Sequence, residues 1–147
     1  VVYLFDSIAI VGDAVLNGIF QTPMLDLDFG TNKERFNNYQ AYCNSLNTFK
    51  LLRNYQCFSS HGKPLKSIDQ GVNGFVKKIW KRSIPLKDFL KKNNSIMQIL
   101  TELFPDCFEQ PFKAFIKLSE ILFLMDYLKS STHLTNALKT NGFIVSK

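Results

Sequence analysis

What the 147-residue chain lacks narrows its class before any motif is read. Its three cysteines, Cys43, Cys57 and Cys107, are odd in number and far apart, and no Cys-x-x-Cys pair occurs. That excludes a disulfide framework and a thiolate zinc site, so reduced, buried, small apolar residues and a cytoplasmic location are expected. Histidine is nearly absent, with only His61 and His133. Long uncharged apolar runs are missing as well: the greasiest stretch, Phe112 to Leu128, carries Lys113, Lys117, Glu120 and Asp126, which makes it a core helix and no membrane span. The opening Val1-Val-Tyr-Leu-Phe5 has no Met, no basic n-region and no small-residue cleavage site. It reads as an apolar strand entered without preamble, a fragment boundary and not a signal peptide.

What is present is core material. With 14 Phe, 5 Tyr and 46% hydrophobic residues, the chain can offset its ordering entropy and bury a core, as one domain or two small ones. The net charge of +6 is unevenly placed: residues 1–60 hold four Lys/Arg against five Asp/Glu, and residues 61–147 hold fourteen against seven. The basic surplus belongs to the second part.

Residues 1–5 and 7–11 are two short β-rich runs separated by Asp6, which predicts a hairpin. Asn17 to Gly30 has no clean period and reads as a long loop lined with Ile19, Phe20, Met24, Leu25, Leu27 and Phe29. A capping box at Thr31 and Glu34 predicts a helix through about residue 53, with Phe36, Tyr39, Cys43, Leu46 and Lys50 at helical spacing. Tyr55 to Ser59 is a strand signal, and Ser60-His61-Gly62-Lys63-Pro64 a turn-rich loop at its end. After Pro64 only helices are predicted. Capping boxes at Ser67/Gln70 and Ser95/Gln98 open two of them, Leu86 to Lys91 is a short one between, Pro105 breaks the chain, Phe112 starts a long helix, and Thr132 to Lys139 forms the last, closed by Gly142. Phe143-Ile144-Val145 reads as a terminal strand. No internal repeat or low-complexity segment is found.

Two sites could carry chemistry. Gly12-Asp13 at the end of an apolar strand places a carboxylate at the strand's carboxyl end, where open α/β sheets bind ligands and where a hard anionic oxygen suits a divalent ion. His61-Gly62, in the loop after the next strand, can offer a neutral imidazole, a common zinc ligand. Taken singly, a Gly-Asp after a strand is more often turn chemistry, and His61 alone is equally ambiguous.

The run they sit in changes this. Ser-Ile-Ala-Ile-Val-Gly-Asp-Ala-Val-Leu, residues 7–16, is similar to the strand and Gly-Asp-Ala-Leu of the metallo-β-lactamase family. The helical stretch Asn38-Tyr39 to Leu52, the strand Gln56 to Ser59 and the Ser60-His61-Gly62 loop resemble the order and spacing that lead to that family's Gly-His-Gly loop, with Ser at position 60 where the family commonly has Gly. The resemblance covers residues 1 to about 65. It implies an α/β fold, the C-terminal half of an αββα sandwich, with Asp13 as the carboxylate bridging two metals, zinc above all, and His61 as an imidazole ligand of the second. Residues 66–147 resemble the winged-helix-like helical extension of one branch of the family, which shapes the substrate pocket. The family's His-x-His-x-Asp-His motif is absent here. Metal binding by this chain alone is therefore expected to be weak or absent, and the chain alone inactive.

The resemblance implies a fragment of a hydrolase whose metal-bound hydroxide attacks a small-molecule ester, thioester, lactone or amide. An exposed N-terminal strand pair is expected to favour a homo-oligomer. His133, beside a Thr132 N-cap, is given no role. A reading from another class takes Lys77, Lys78, Lys81 and Arg82 as a patch that binds nucleic acid or an acidic partner, although a solvated helix face explains such a run more simply.

Overall fold

A computed structural model describes residues 2–26, 35–92 and 95–145. Its content is mixed α/β and mostly helical, with five α-helices and one three-stranded sheet among the described residues. No described helix is long and apolar enough to cross a membrane. Two compact units divide the chain, and neither is contiguous: Val1–Gln21, Tyr42–Lys81 and Thr132–Lys147 form the first, Thr22–Ala41 and Arg82–Ser131 the second.

The first unit holds the sheet. Strands β1 (Tyr3–Phe5) and β2 (Ile8–Gly12) pair antiparallel with Tyr3 opposite Ile10 and Phe5 opposite Ile8. Asp6 turns the hairpin in the left-handed region at φ 49°, a conformation its short polar side chain tolerates. Side chains alternate with period two, so Ala9 and Val11 are buried while Tyr3, Phe5, Ile8 and Ile10 share the opposite, exposed face. Strand β3 (Gln56–Ser59) adds parallel to β2, with Ala9 beside Cys57, giving the order β1-β2-β3.

Helix α1 (Asn38–Phe49) and a 3-10 turn at Lys50–Leu52 lead into β3. Cys43, Leu46, Phe49 and Leu52 are buried there. Helix α2 (Ile68–Lys91) starts at a Ser67 cap that accepts from the Gln70 amide at 3.2 Å, and it buries Ile68, Val72, Phe75, Val76 and Ile79 at helical spacing. Helix α5 (Ser131–Thr140) buries Leu134 and Leu138. It ends in a Schellman turn: Gly142, at φ 68°, donates to the Lys139 carbonyl and Phe143 donates to that of Leu138. Arg53 secures this end by donating to the carbonyls of Asn141 and Gly142 at 3.0 and 2.9 Å, to Asp69 at 3.1 Å, and by lying 4.6 Å over the Phe143 ring.

The second unit contains helix α3 (Ile96–Leu103), a 3-10 turn at Pro105–Glu109 and helix α4 (Pro111–Lys129). The Ser95/Gln98 capping box is complete, each side chain bonding the other's backbone amide. Ile99, Leu100, Cys107, Ile121, Phe123 and Leu124 are buried, and Tyr39 packs edge-on against Phe123 and Tyr127 while donating to the Ser130 carbonyl at 2.8 Å. Glu120, with its side chain 2% exposed, is met by Arg82 and by Lys117 at 3.1 Å. Asp126 is met through both carboxylate oxygens by Arg35, each at 2.8 Å.

Three sequence expectations are corrected. The Thr31–Glu34 capping box lies outside the described residues, and α1 begins only at Asn38, where the Asn37 side chain accepts from the Gln40 amide at 2.9 Å; Phe36 precedes the helix and is exposed. Residues 86–91 are not a separate helix. They continue α2 through Pro85, because the ring removes only one helix bond, to the Lys81 carbonyl, while the apolar spacing carries on to the buried Leu86. Residues 143–145 form no strand: after the Gly142 turn, Phe143 is buried and Ile144 is 85% exposed, and no strand among the described residues pairs with them.

Candidate functional site

Because β2 and β3 run parallel, their carboxyl ends fall on one edge of the sheet, and both candidate residues lie just past those ends. Asp13 follows Gly12, the last residue of β2, in a turn closed by the Ala14 amide bonding to the Val11 carbonyl at 3.0 Å. His61 follows β3 by two residues. The structure brings the pair together: His61 Nε2 is 3.8 Å from Asp13 Oδ1, with the side chains 67% and 63% exposed. Gly62, at φ 82°, lets the loop turn directly after His61, and a Cβ there would sit 3.3 Å from the Asn17 carbonyl oxygen.

The serines before His61 complete the cluster. Ser60 donates its amide to the Gly12 carbonyl at 3.1 Å, which extends the parallel ladder by one residue, and its hydroxyl to Asp13 Oδ1. The Ser59 hydroxyl donates to the His61 carbonyl at 3.0 Å. Ser, His and Asp are also the residue types of a nucleophilic triad, but the connectivity here is wrong for one. The carboxylate stands between the other two, so the imidazole takes no proton from Ser60.

The donor pair fits part of a metal site. Two ligands of one zinc ion, at ordinary bond lengths and tetrahedral angles, lie roughly 3.3 Å apart. The observed 3.8 Å reaches that with a small side-chain rotation. No group of three or more His, Cys, Asp or Glu able to hold a metal occurs among the described residues. A catalytic zinc uses three protein ligands, so the pair by itself does not complete a centre. Two cavities, of about 500 Å³ beside Trp80 and Phe143 and about 240 Å³ beside Arg35 and Phe115, are lined by neither residue.

The cations of the other reading divide. Lys77 and Lys81 are exposed on α2, whereas the Lys78 ammonium donates to the Gly18 carbonyl and Arg82 pairs with Glu120. His133 is exposed on α5. Burial raises the Cys57 thiol pKa, as expected of an inert core thiol. Sequence reasoning assigned Ser60 no role beyond replacing a glycine and assigned none to Ser59, Arg53 or Glu120; the adjacent hydroxyls before His61 and Lys117 three residues before Glu120 were the local signals.

A scan against protein-family models, a comparison with curated proteins and a comparison with solved structures each found no match.

Proposed function

We propose that this chain is a C-terminal part of a metal-dependent hydrolase of the metallo-β-lactamase superfamily. In this reading residues 1–65 belong to its αββα sandwich, where Asp13 would hold zinc through its carboxylate and His61 through its imidazole. Residues 66–147 are the winged-helix-like extension that shapes the pocket. The observation that carries the reading is the convergence of Asp13 and His61 past the ends of neighbouring parallel strands, in the order that the motif resemblance implies. A divalent ion held by Asp13, His61 and further ligands would supply Lewis-acid activation of a water molecule. The chain's own residues hold a carboxylate and an imidazole in reach of one ion and leave the remaining ligands to other residues of such a hydrolase. The substrate class is a small-molecule ester, thioester, lactone or amide. The exposed face of Tyr3, Phe5, Ile8 and Ile10 supports a further layer packing on the hairpin, supplied by the rest of such a hydrolase or by a second copy of the chain.

The test is a zinc titration followed by the carbon-bound imidazole protons in NMR. Weak, saturable binding is expected to move His61 and leave His133 still, and Asp13→Ala is expected to abolish the response. A His61 signal indifferent to millimolar zinc, or one that responds as His133 does, refutes the ligand assignment.

A further inference from the structure

We propose that Ser60 is a positioning residue that locks the Asp13 carboxylate toward His61, an inference that rests on the reading of those two residues as metal ligands. Asp13 stands on an open turn with its side chain 63% exposed, so packing alone does not choose its rotamer. The Ser60 hydroxyl does: it donates to Oδ1, the same oxygen that faces His61 Nε2, and thereby holds that edge of the carboxylate toward the imidazole. The serine is itself fixed, because its amide is bonded to the Gly12 carbonyl at 3.1 Å, directly before Asp13. The preceding residue acts on the other partner, with the Ser59 hydroxyl bonded to the His61 carbonyl at 3.0 Å. Consecutive hydroxyls thus fasten the carboxylate by its side chain and the histidine by its backbone.

Glycine at position 60 would keep the backbone bond and lose the lock. The hydroxyl matters most when ligands are few, since each freely rotating ligand must be ordered when the ion binds, and loss of a hydrogen bond behind a ligand typically weakens metal binding by ~10–100-fold.

The experiment begins without metal. Three-bond couplings between the Asp13 α and β protons report its χ1 populations: one rotamer is expected in the parent chain, averaged couplings in Ser60→Ala and Ser60→Gly, and the parent values again in Ser60→Thr. Zinc affinity is then measured on the same proteins, with a loss of ~10-fold expected in Ser60→Ala and recovery in Ser60→Thr. Couplings already averaged in the parent, or unchanged in Ser60→Ala, overturn the proposal. Couplings that respond while no variant binds zinc uphold the positioning role and remove the metal reading instead, so the two failures are separable.

Discussion

Substituting Gly71 by alanine tests how tightly the segment after Asp13 is held. Gly71 lies inside α2, and a Cβ there would stand 2.2 Å from Val15 Cγ1 and 3.1 Å from Leu65 Cδ2. Carbon atoms in contact sit about 3.5–4.0 Å apart, so the valine methyl must withdraw by more than ~1 Å. Val15 is 4% exposed and β-branched, so its side chain is restricted in how it can move aside. Overpacking of this kind costs ~1–3 kcal/mol, and the upper end applies to so short an approach; exchanging glycine for alanine in a helix returns ~1 kcal/mol. The expected net loss is therefore ~2 kcal/mol, measured by urea unfolding followed through the single tryptophan, Trp80, which belongs to the same unit as Gly71 and Val15. Val15→Ala alone is expected to cost ~2 kcal/mol for the methyls and the void they leave. Combined with Gly71→Ala it should cost far less than the sum, since the new methyl enters the vacated space, giving a coupling of ~1–2 kcal/mol. Because Val15 follows Asp13 by two residues, Gly71→Ala should also blunt the response of His61 to zinc. A neutral or stabilising Gly71→Ala, or additivity within ~0.5 kcal/mol, refutes the contact on which this reasoning stands.

Further outcomes are expected. Arg82→Met leaves the buried Glu120 with Lys117 alone and should cost about 3 kcal/mol, part of which Glu120→Gln recovers in the same chain; equal losses with and without that second change would show the pair to be inconsequential. Burial raises the pKa of Tyr42, Cys57 and Tyr127, so the folded chain keeps protons that the unfolded chain releases from the ordinary thiol value of 9.0 upward. Stability from these groups is complete below that pH and declines above it, so the thermal midpoint should be lower at pH 10 than at pH 8, and Tyr42→Phe should lessen the drop. Sedimentation at tens of micromolar should detect self-association through the hairpin that Tyr3→Lys with Phe5→Lys abolishes; a monomeric parent chain contradicts a homo-oligomer at that face.

The hairpin, β3 and the loops bearing Asp13 and His61 were legible because period two and turn residues are local signals, and parallel pairing then places two strand ends on one edge. The boxes at Ser67 and Ser95 located helix starts for the same reason. Leu86 to Lys91 read as a separate helix, but α2 runs on through Pro85, where a helix-breaking preference of a few kcal/mol yields because the apolar face continues beyond it. Residues 143–145 misled because Phe143 satisfies its burial as a capping residue and not as a strand residue. The long-range contacts of Arg53 and Glu120 were invisible: Asn141 lies 88 residues from Arg53 and Arg82 lies 38 from Glu120, farther apart than any local window of sequence.

The interrupted membership of the first unit sets an order of events during synthesis. Its sheet, with Asp13 and His61, is made early, yet the unit also requires α5, whose Leu134, Leu138 and Gly142 turn come only after all of Arg82–Ser131 has been made. At the ~5–20 residues per second of translation, the nascent hairpin and its loops must wait several seconds for the helix end that Arg53 grips. During that interval the unit's core, still lacking Leu134 and Leu138, is open to chaperones, so a ribosome-stalled intermediate halted before Ser131 should bind a holdase more strongly than the released chain does.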